Sequence, residues 1–473
     1  MMISYSKSEA FIAGLGPLPM VQITIIGAGS VVFTGRLTVD LCLSEGLRDS
    51  TIVLMDIDQE RLDNMYSLAK RYARETKAKL SFRKTTDRKE ALEGADFVIN
   101  TVKVGGYQPM ETERMIAEKY GYYRGIGERV SDYYGGVGAY HQLKFFLDLA
   151  RDIEKICPEA WLIQASNPVF EGASLLSRET KVKVVGVCHG HLGYLEVLKH
   201  LRLRREEVQV EVAGFNHNIW LTKFLYRGED AYPIIDRWVK EEAESYWKSD
   251  EYLKAPAWAT EQMSPAAVDM YRMFGLFPIG DTVRSASPWW YHIRLQTKQK
   301  WYGPTGGFDS EIGWLMYLQS LKETLEHLRS WANDPKIKLT EVYPPVPSRE
   351  QHVPLIEAIA NDKRAILQLN IPNNGAISGI PDDVVVEVPT SVNGTGIRAF
   401  PVGRLPRRLM YHVLQPRLLK MEQILQAFLE GDRESLLLTI ADDHRTSSIE
   451  KAKALLEELL QLPWNVEAAR HYK

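Results

Sequence analysis

Cysteine is scarce in this chain of 473 residues: Cys42, Cys157 and Cys188 are the only three. Three thiols do not make a disulfide framework, and they fit a reducing cytosol in which a thiol packs or binds a ligand. A cytoplasmic protein is expected. No apolar run approaches the length of a membrane span. The first twenty residues, Met1 to Met20, lack a basic n-region and a continuous apolar core, so they read as an N-terminal extension rather than a signal peptide. Charge of one sign is missing too: 58 Lys and Arg against 61 Asp and Glu leave a net charge of −3. That balance gives no reason to expect nucleic acid or an anionic membrane as a partner. Internal repeats and low-complexity tracts are absent. What is present is ordinary globular composition, 45% hydrophobic and 25% charged, on a chain long enough for two domains.

The sharpest local signal is Val21-Gln22-Ile23-Thr24-Ile25-Ile26-Gly27-Ala28-Gly29-Ser30, followed by a second apolar run, Thr51–Met55, that delivers Asp56. A short strand, a glycine turn, a helix and an acidic strand end make the start of a dinucleotide-binding βαβ unit. Gly27 permits the tight turn, Gly29 lets the backbone approach a pyrophosphate, and the helix N-terminus offers N–H donors. Asp56 is placed to accept from a ribose, which favours NAD over NADP. Val32 stands where a third glycine is usual, and a helix set further from the strand is expected there.

Strand-like runs at 21–26, 51–55, 96–102, 160–165 and 183–188 alternate with helical patterns such as Gln59–Thr76 and Ala139–Ile156. Such alternation predicts a mostly parallel sheet with ligands gathered at the strands' carboxyl ends. Asp56, the Lys103–Gly106 turn, Ser166-Asn167-Pro168 and Cys188-His189-Gly190-His191 should therefore converge on one crevice. Near residue 205 the pattern changes to mixed strands, then to aromatic-rich helices. A β-rich segment follows at Ala365–Ile371 and Asp383–Val388, with two closing helices at about 416–430 and 447–461. The expected organisation is an extension (1–20), a Rossmann-type α/β domain with a parallel sheet (21–204) and a second α+β domain (205–473) that covers the crevice.

Three polar clusters carry candidate chemistry. Cys188 and His189, with His217 at the start of the second half, can hold a divalent transition metal. From spacing alone they read more readily as a buried cysteine and two hydrogen-bonded histidines. Gly280-Asp281-Thr282-Val283-Arg284 is either a functional turn or an Asp–Arg pair that ties a loop. Gly127–Tyr134 reads as a solvated polar loop unless other residues give it a role.

From residue 21 onward the chain resembles glycoside hydrolase family 4. The motifs that carry the resemblance stand in order: IIGAGS, MDID, ADFVINT, YGYYRGI, VSDYY, ASNP, CHGH, AGFNHNIW, AYPIIDRW, MSPAAVDMYR, PIGDTVR, DSEIGW and EQHVPLIEAI. Within that family the chain looks nearest to α-glucosidases that require NAD and Mn²⁺. The resemblance implies a lactate/malate dehydrogenase-like Rossmann domain and a retaining mechanism that differs from two-carboxylate hydrolysis, an exception general accounts of glycosidases already name. In it NAD⁺ takes hydride from C3, a base removes the C2 proton, the glycosidic oxygen leaves by elimination, water adds, and the hydride returns.

Carried over to this chain, the resemblance makes Cys188 and His217 metal ligands, with Mn²⁺ or another divalent transition metal as the ion. It makes Asp281 the C2 base and Asp132 a proton donor or water activator. Because other branches of the family use a tyrosine as base, Tyr133 and Tyr291 stay as alternatives. Asn167, His189, His191 and Arg284 become substrate-binding residues, and Gly27, Gly29, Ser30, Asp56 and Asn100 the cofactor set. A small-molecule α-glycoside is the expected partner, and a homodimer or homotetramer the expected assembly. The Cys-His-Gly-His stretch argues against the phosphoglycosidase branch and leaves α-glucuronidase or α-galacturonidase as an alternative. A 2-hydrox acid dehydrogenase with net redox turnover is the reading from another class, and Cys188 with His217 argues against it.

Overall fold

The run Gln22–Ile26 forms strand β1 and Thr51–Met55 forms β2, both almost wholly buried because helices cover both faces of the sheet. In the computed structural model, which describes residues 20–30, 34–125 and 133–473, strands β3 (Ser81–Thr85), β4 (Phe97–Asn100), β5 (Trp161–Gln164) and β6 (Lys183–Gly186) complete a parallel set. Val32 and Asp132 lie outside the described residues, as does the Tyr133 side chain. The strand order is β3-β2-β1-β4-β5-β6, the arrangement of a dinucleotide-binding fold. Strand β3 did not stand out in the sequence because it is a polar edge strand, Ser-Phe-Arg-Lys-Thr, with no buried residue.

The crossover helices form where the sequence supplies caps and periodicity. Asp58 caps the helix Gln59–Thr76 by accepting from the Arg61 N–H, and Lys77 ends it in the left-handed conformation at φ 58°. The helix Tyr140–Ile156 buries Leu143, Phe146, Leu147 and Ala150 at helical spacing.

The sheet does not stop at β6. Strands β7 (Val208–Phe215) and β8 (Asn218–Tyr226) form a hairpin, β9 (Glu229–Asp230) pairs with β8, and β10 (Pro278–Ile279) lies on the outer edge of β8. Strands β11 (Ala365–Pro372), β12 (Val385–Asn393) and β13 (Gly396–Ala399) form the remaining antiparallel part. The thirteen strands of the described residues make one sheet, in which β11 and β12 sit between β6 and β7. Two single pairings hold this junction: Gly186 with Asn370, and Gly214 with Glu387. Asn370 and Glu387 are themselves partners across β11 and β12, so Gly186, Asn370, Glu387 and Gly214 run in one row across four strands. The expected break near residue 204 falls between β6 and β7, yet hydrogen bonding continues across it through strands supplied from far along the chain.

The two expected closing helices are present as Gln415–Glu430 and Ile449–Leu460, and the described residues add two more, Arg433–Ala441 between them and Val466–His471 after them. Gly431, at φ 67°, ends Gln415–Glu430, and Asp432 caps Arg433–Ala441 by accepting from the N–H groups of Glu434 and Ser435.

The junction tolerates no side chain at Gly186. A Cβ there would lie 2.7 Å from Asn370 Cβ and 2.7 Å from Val169 Cγ1. Gly186→Ala should therefore destabilise the protein by about 1–3 kcal/mol, read as a lower urea midpoint. An unchanged midpoint would show that the row is not tightly packed.

Candidate active site

The glycine turn after β1 is tied to the end of β2: the N–H groups of Gly27 and Ala28 both donate to Met55 O at 2.9 Å. Gly27 has φ 87°, and a Cβ on it would lie 2.9 Å from Val102 Cγ2. Gly29 donates its N–H to Asp56 Oδ2 at 2.8 Å, while Asp56 Oδ1 accepts from the Asp58 N–H at 2.9 Å. Each carboxylate oxygen keeps a further lone pair, so Asp56 both fixes the turn and can accept from a hydroxyl. Ser30 donates its N–H back to Gly27 O at 3.0 Å. Asn100 is fully buried; its Nδ2 donates to Gln164 Oε1 at 2.9 Å and its Oδ1 accepts from the Val102 N–H at 3.1 Å. Its side chain thus shapes the floor of the turn instead of facing a ligand.

The second focus lies at the carboxyl end of β6 and the tip of the β7–β8 hairpin. Cys188 follows β6 by two residues. Asn216 and His217 are the two-residue turn of the hairpin, and His217 adopts φ 58°, a left-handed conformation that costs a non-glycine residue about 1–2 kcal/mol. Asp281 follows β10. Donor atoms of Cys188, His217 and Asp281 all lie within 4.8 Å of one another. His217 Nε2 is 3.2 Å from Asp281 Oδ2. Thiolate, imidazole and carboxylate are a donor set for a divalent transition metal, and the set leaves coordination positions open. Burial pushes the Cys188 thiol up, and the carboxylates of Glu387 and Asp281 push the same way. A cation between them would reverse that balance and hold the sulfur as thiolate.

Arg284 is only 3% exposed and is committed to three carboxylates. Its Nη1 donates to Asp309 Oδ2 at 2.7 Å, its Nε lies 3.2 Å from Glu261 Oε2, and its Nη2 bonds Asp281 Oδ1. The guanidinium also sits 4.7 Å from the ring centroid of Phe308. This geometry makes Arg284 the holder of Asp281; the expected contact with substrate is not what its buried side chain offers. Burial raises the Glu261 carboxyl to about 7.

Around this centre, Asn167 is exposed at the end of β5 and is joined to Pro168 by a cis peptide. His189 Nδ1 lies 3.4 Å from Glu350 Oε1, a pairing that raises the imidazole pKa. Its side chain keeps 54% exposure. His191 Nδ1 lies 3.1 Å from Cys188 O, and burial lowers its pKa to about 4. Tyr291 is fully buried and donates to Asp269 Oδ2, which removes it from the alternatives for a base.

Sequence reading missed Glu350, Asp309, Glu261 and Glu387. Glu387 carried a visible signal: it is the lone acid in Val384-Val385-Val386-Glu387-Val388. It is 1% exposed, its Oε2 accepts from Asn216 Nδ2 at 3.0 Å, and burial raises its carboxyl to about 7.

The sequence model of the family 4 glycosyl hydrolases matches residues 22–203, and that of their C-terminal domain matches 212–446. An α-galacturonidase of Thermoanaerobacterium saccharolyticum is 27% identical over 467 residues, 94% of this chain and 96% of that relative. An α-glucosidase of Erwinia rhapontici is 26% identical over 474 residues, 94% of this chain and 98% of its own length. Among solved structures, a 6-phospho-α-glucosidase from gut microorganisms in complex with NAD and Mn²⁺ superposes with a TM-score of 0.72 at 21% identity, over 94% of this chain and 98% of that one.

Removing the Arg284 cation leaves Asp281, Asp309 and Glu261 without their common partner. In metal-free protein at pH 8, Arg284→Met should cost about 3–5 kcal/mol. Glu261 holds its proton up to about 7 when folded, above its ordinary value of 4.5, so its contribution to stability falls as pH rises from 4.5 to about 7 and is gone above that. The loss should therefore shrink at pH 5, where Glu261 is protonated and needs no cation. Urea midpoints at the two pH values read this directly; an equal cost at both would contradict it.

Proposed function

Because the chain belongs to the family 4 glycosyl hydrolases, we propose that it is an α-glycosidase, with α-glucosides as substrate, and that it works with NAD⁺ and Mn²⁺. The observation that carries this reading is the convergence of Cys188, His217 and Asp281 beside the carboxyl end of a dinucleotide-binding sheet. The donor set fits a divalent cation, and the Gly27–Ser30 turn with Asp56 fits a dinucleotide. Bound there, the cofactor would accept and return a hydride at C3 of the sugar, and the cation would stabilise negative charge on the C2 and C3 oxygens. The related 6-phospho-α-glucosidase structure is a complex with NAD and Mn²⁺.

This chain's own residues would then do the following. Asp56 accepts from the adenosine ribose and repels a 2′-phosphate. Cys188 and His217 hold the cation. Asn167, exposed at the end of β5, and His189, held from behind by Glu350, bind the sugar hydroxyls. Asp281 removes the C2 proton: Arg284 fixes its Oδ1, and Oδ2 faces His217. Asp132, outside the described residues, is kept as the group that serves the leaving oxygen or the incoming water.

A second reading, α-galacturonidase, is favoured by the relative of that activity, which aligns along nearly the whole chain. His189 is an exposed imidazole with a raised pKa, which a uronate could pair with. p-Nitrophenyl α-glucoside and α-galacturonide, assayed with NAD⁺, Mn²⁺ and reductant, separate the two readings. Hydrolysis should need NAD⁺ in catalytic amounts only, and steady NADH formation would instead mark a dehydrogenase.

Two substitutions test the residue roles. Asp281→Asn, which leaves Cys188 and His217 in place and keeps an amide oxygen beside them, should still bind Mn²⁺ yet stop exchange of the C2 hydrogen with D₂O; exchange at the wild-type rate would sink its role as base. Asp56→Ala should narrow the preference for NAD⁺ over NADP⁺, and wild-type protein that prefers NADP⁺ would show that Asp56 serves only the turn.

A further inference from the structure

Glu387 has no place in the roles above, yet its position is unusual. It is a 1% exposed carboxylate in the middle of a sheet, and the side chains that hydrogen-bond it, Asn216 and Asn370, are neutral amides. Buried acids of this kind are rare unless a cation or several donors balance them. Its neighbours in the row across the junction point to the balancing charge. Gly186 lies two residues before Cys188, and Gly214 lies three before His217, with Asn370 and Glu387 between them. Asn216 Nδ2 donates to Glu387 Oε2 at 3.0 Å, and the same amide stands close enough to Cys188 to favour the thiolate. One amide therefore links the carboxylate to the thiol.

Resting on the cation site read above, we propose that Glu387 and Asn216 are positioning residues of that site. Glu387 supplies a buried negative charge behind the cation. Asn216, turned by Glu387, aims its second N–H at Cys188 Sγ and fixes the sulfur toward the ion. Groups of this kind commonly change metal affinity by about 10–100-fold when they are altered. Neither residue touches sugar or dinucleotide in this account. Their loss should weaken the ion and leave NAD⁺ alone.

The test is Mn²⁺ binding to the full-length, NAD⁺-saturated protein, with free Mn²⁺ counted by electron paramagnetic resonance. Glu387→Gln keeps the size of the side chain and an acceptor for Asn216, and removes only the charge. It should weaken Mn²⁺ binding about 10-fold or more, with NAD⁺ affinity unchanged and no fall in the melting temperature of the metal-free protein. Asn216→Ala should weaken Mn²⁺ to a similar extent. A merely structural role would move the melting temperature and spare the ion in the folded variant. If Cys188→Ser loses Mn²⁺ while Glu387→Gln and Asn216→Ala bind it as wild type does, the positioning role is overturned and the cation site stands. If all three variants bind Mn²⁺ normally, the cation site falls and the proposal falls with it.

Discussion

The structure depends on one constraint: two half-sheets from distant parts of the chain must join through two single backbone pairings, each between a glycine and a polar residue. A parallel sheet ending at β6 would expose a buried edge. Here β11 and β12, from far along the chain, cover that edge and carry the β7–β8 hairpin on their other side. The join brings Asn370 and Glu387 between Gly186 and Gly214. Because Cys188 follows Gly186 and His217 follows Gly214, the same join places a thiol and an imidazole side by side. Neither half of the chain has both groups at one sheet edge.

Electrostatics then set what the junction can hold. Asp281 and Glu387 both disfavour a negative sulfur at Cys188. Arg284 offsets part of that charge, but it is shared with Asp309 and Glu261 and stands on the far side of Asp281. The near side, where Cys188, His217 and Asp281 meet, has an excess of acceptors. A divalent cation held by Cys188 and His217 satisfies this arrangement better than a proton on the sulfur, because its charge also balances the Asp281 carboxylate beside it. The soft thiolate is an unusual partner for Mn²⁺. Sugar oxygens in the open positions would supply the hard ligands, which ties tight ion binding to the presence of substrate.

Much of the nucleotide-facing half was legible because its signals are local. The apolar runs of β1 and β2, the Gly27–Gly29 turn and Asp56 lie within a few dozen residues, and each obeys a short-range rule. Asp281 and Arg284 read as a pair for the same reason, three residues apart in number and bonded in space. The rest was hidden by distance in sequence. No periodicity says that β11 and β12 insert between β6 and β7, so the register that buries Glu387 beneath Asn216 could not be read from the strand pattern. Asp309 and Glu261 acquire meaning only when folding brings them to Arg284. The polar edge strand β3 escaped because pairing, not burial, makes it a strand.

The central claim is that one cation sits where Cys188, His217 and Asp281 converge. Crystals of the protein grown with NAD⁺ and Mn²⁺ and measured at the manganese absorption edge test it most directly. The account predicts an anomalous peak between Cys188 Sγ and a His217 ring nitrogen, within bonding distance of both. A peak elsewhere in the molecule, with the three side chains arranged as they are here, would contradict it.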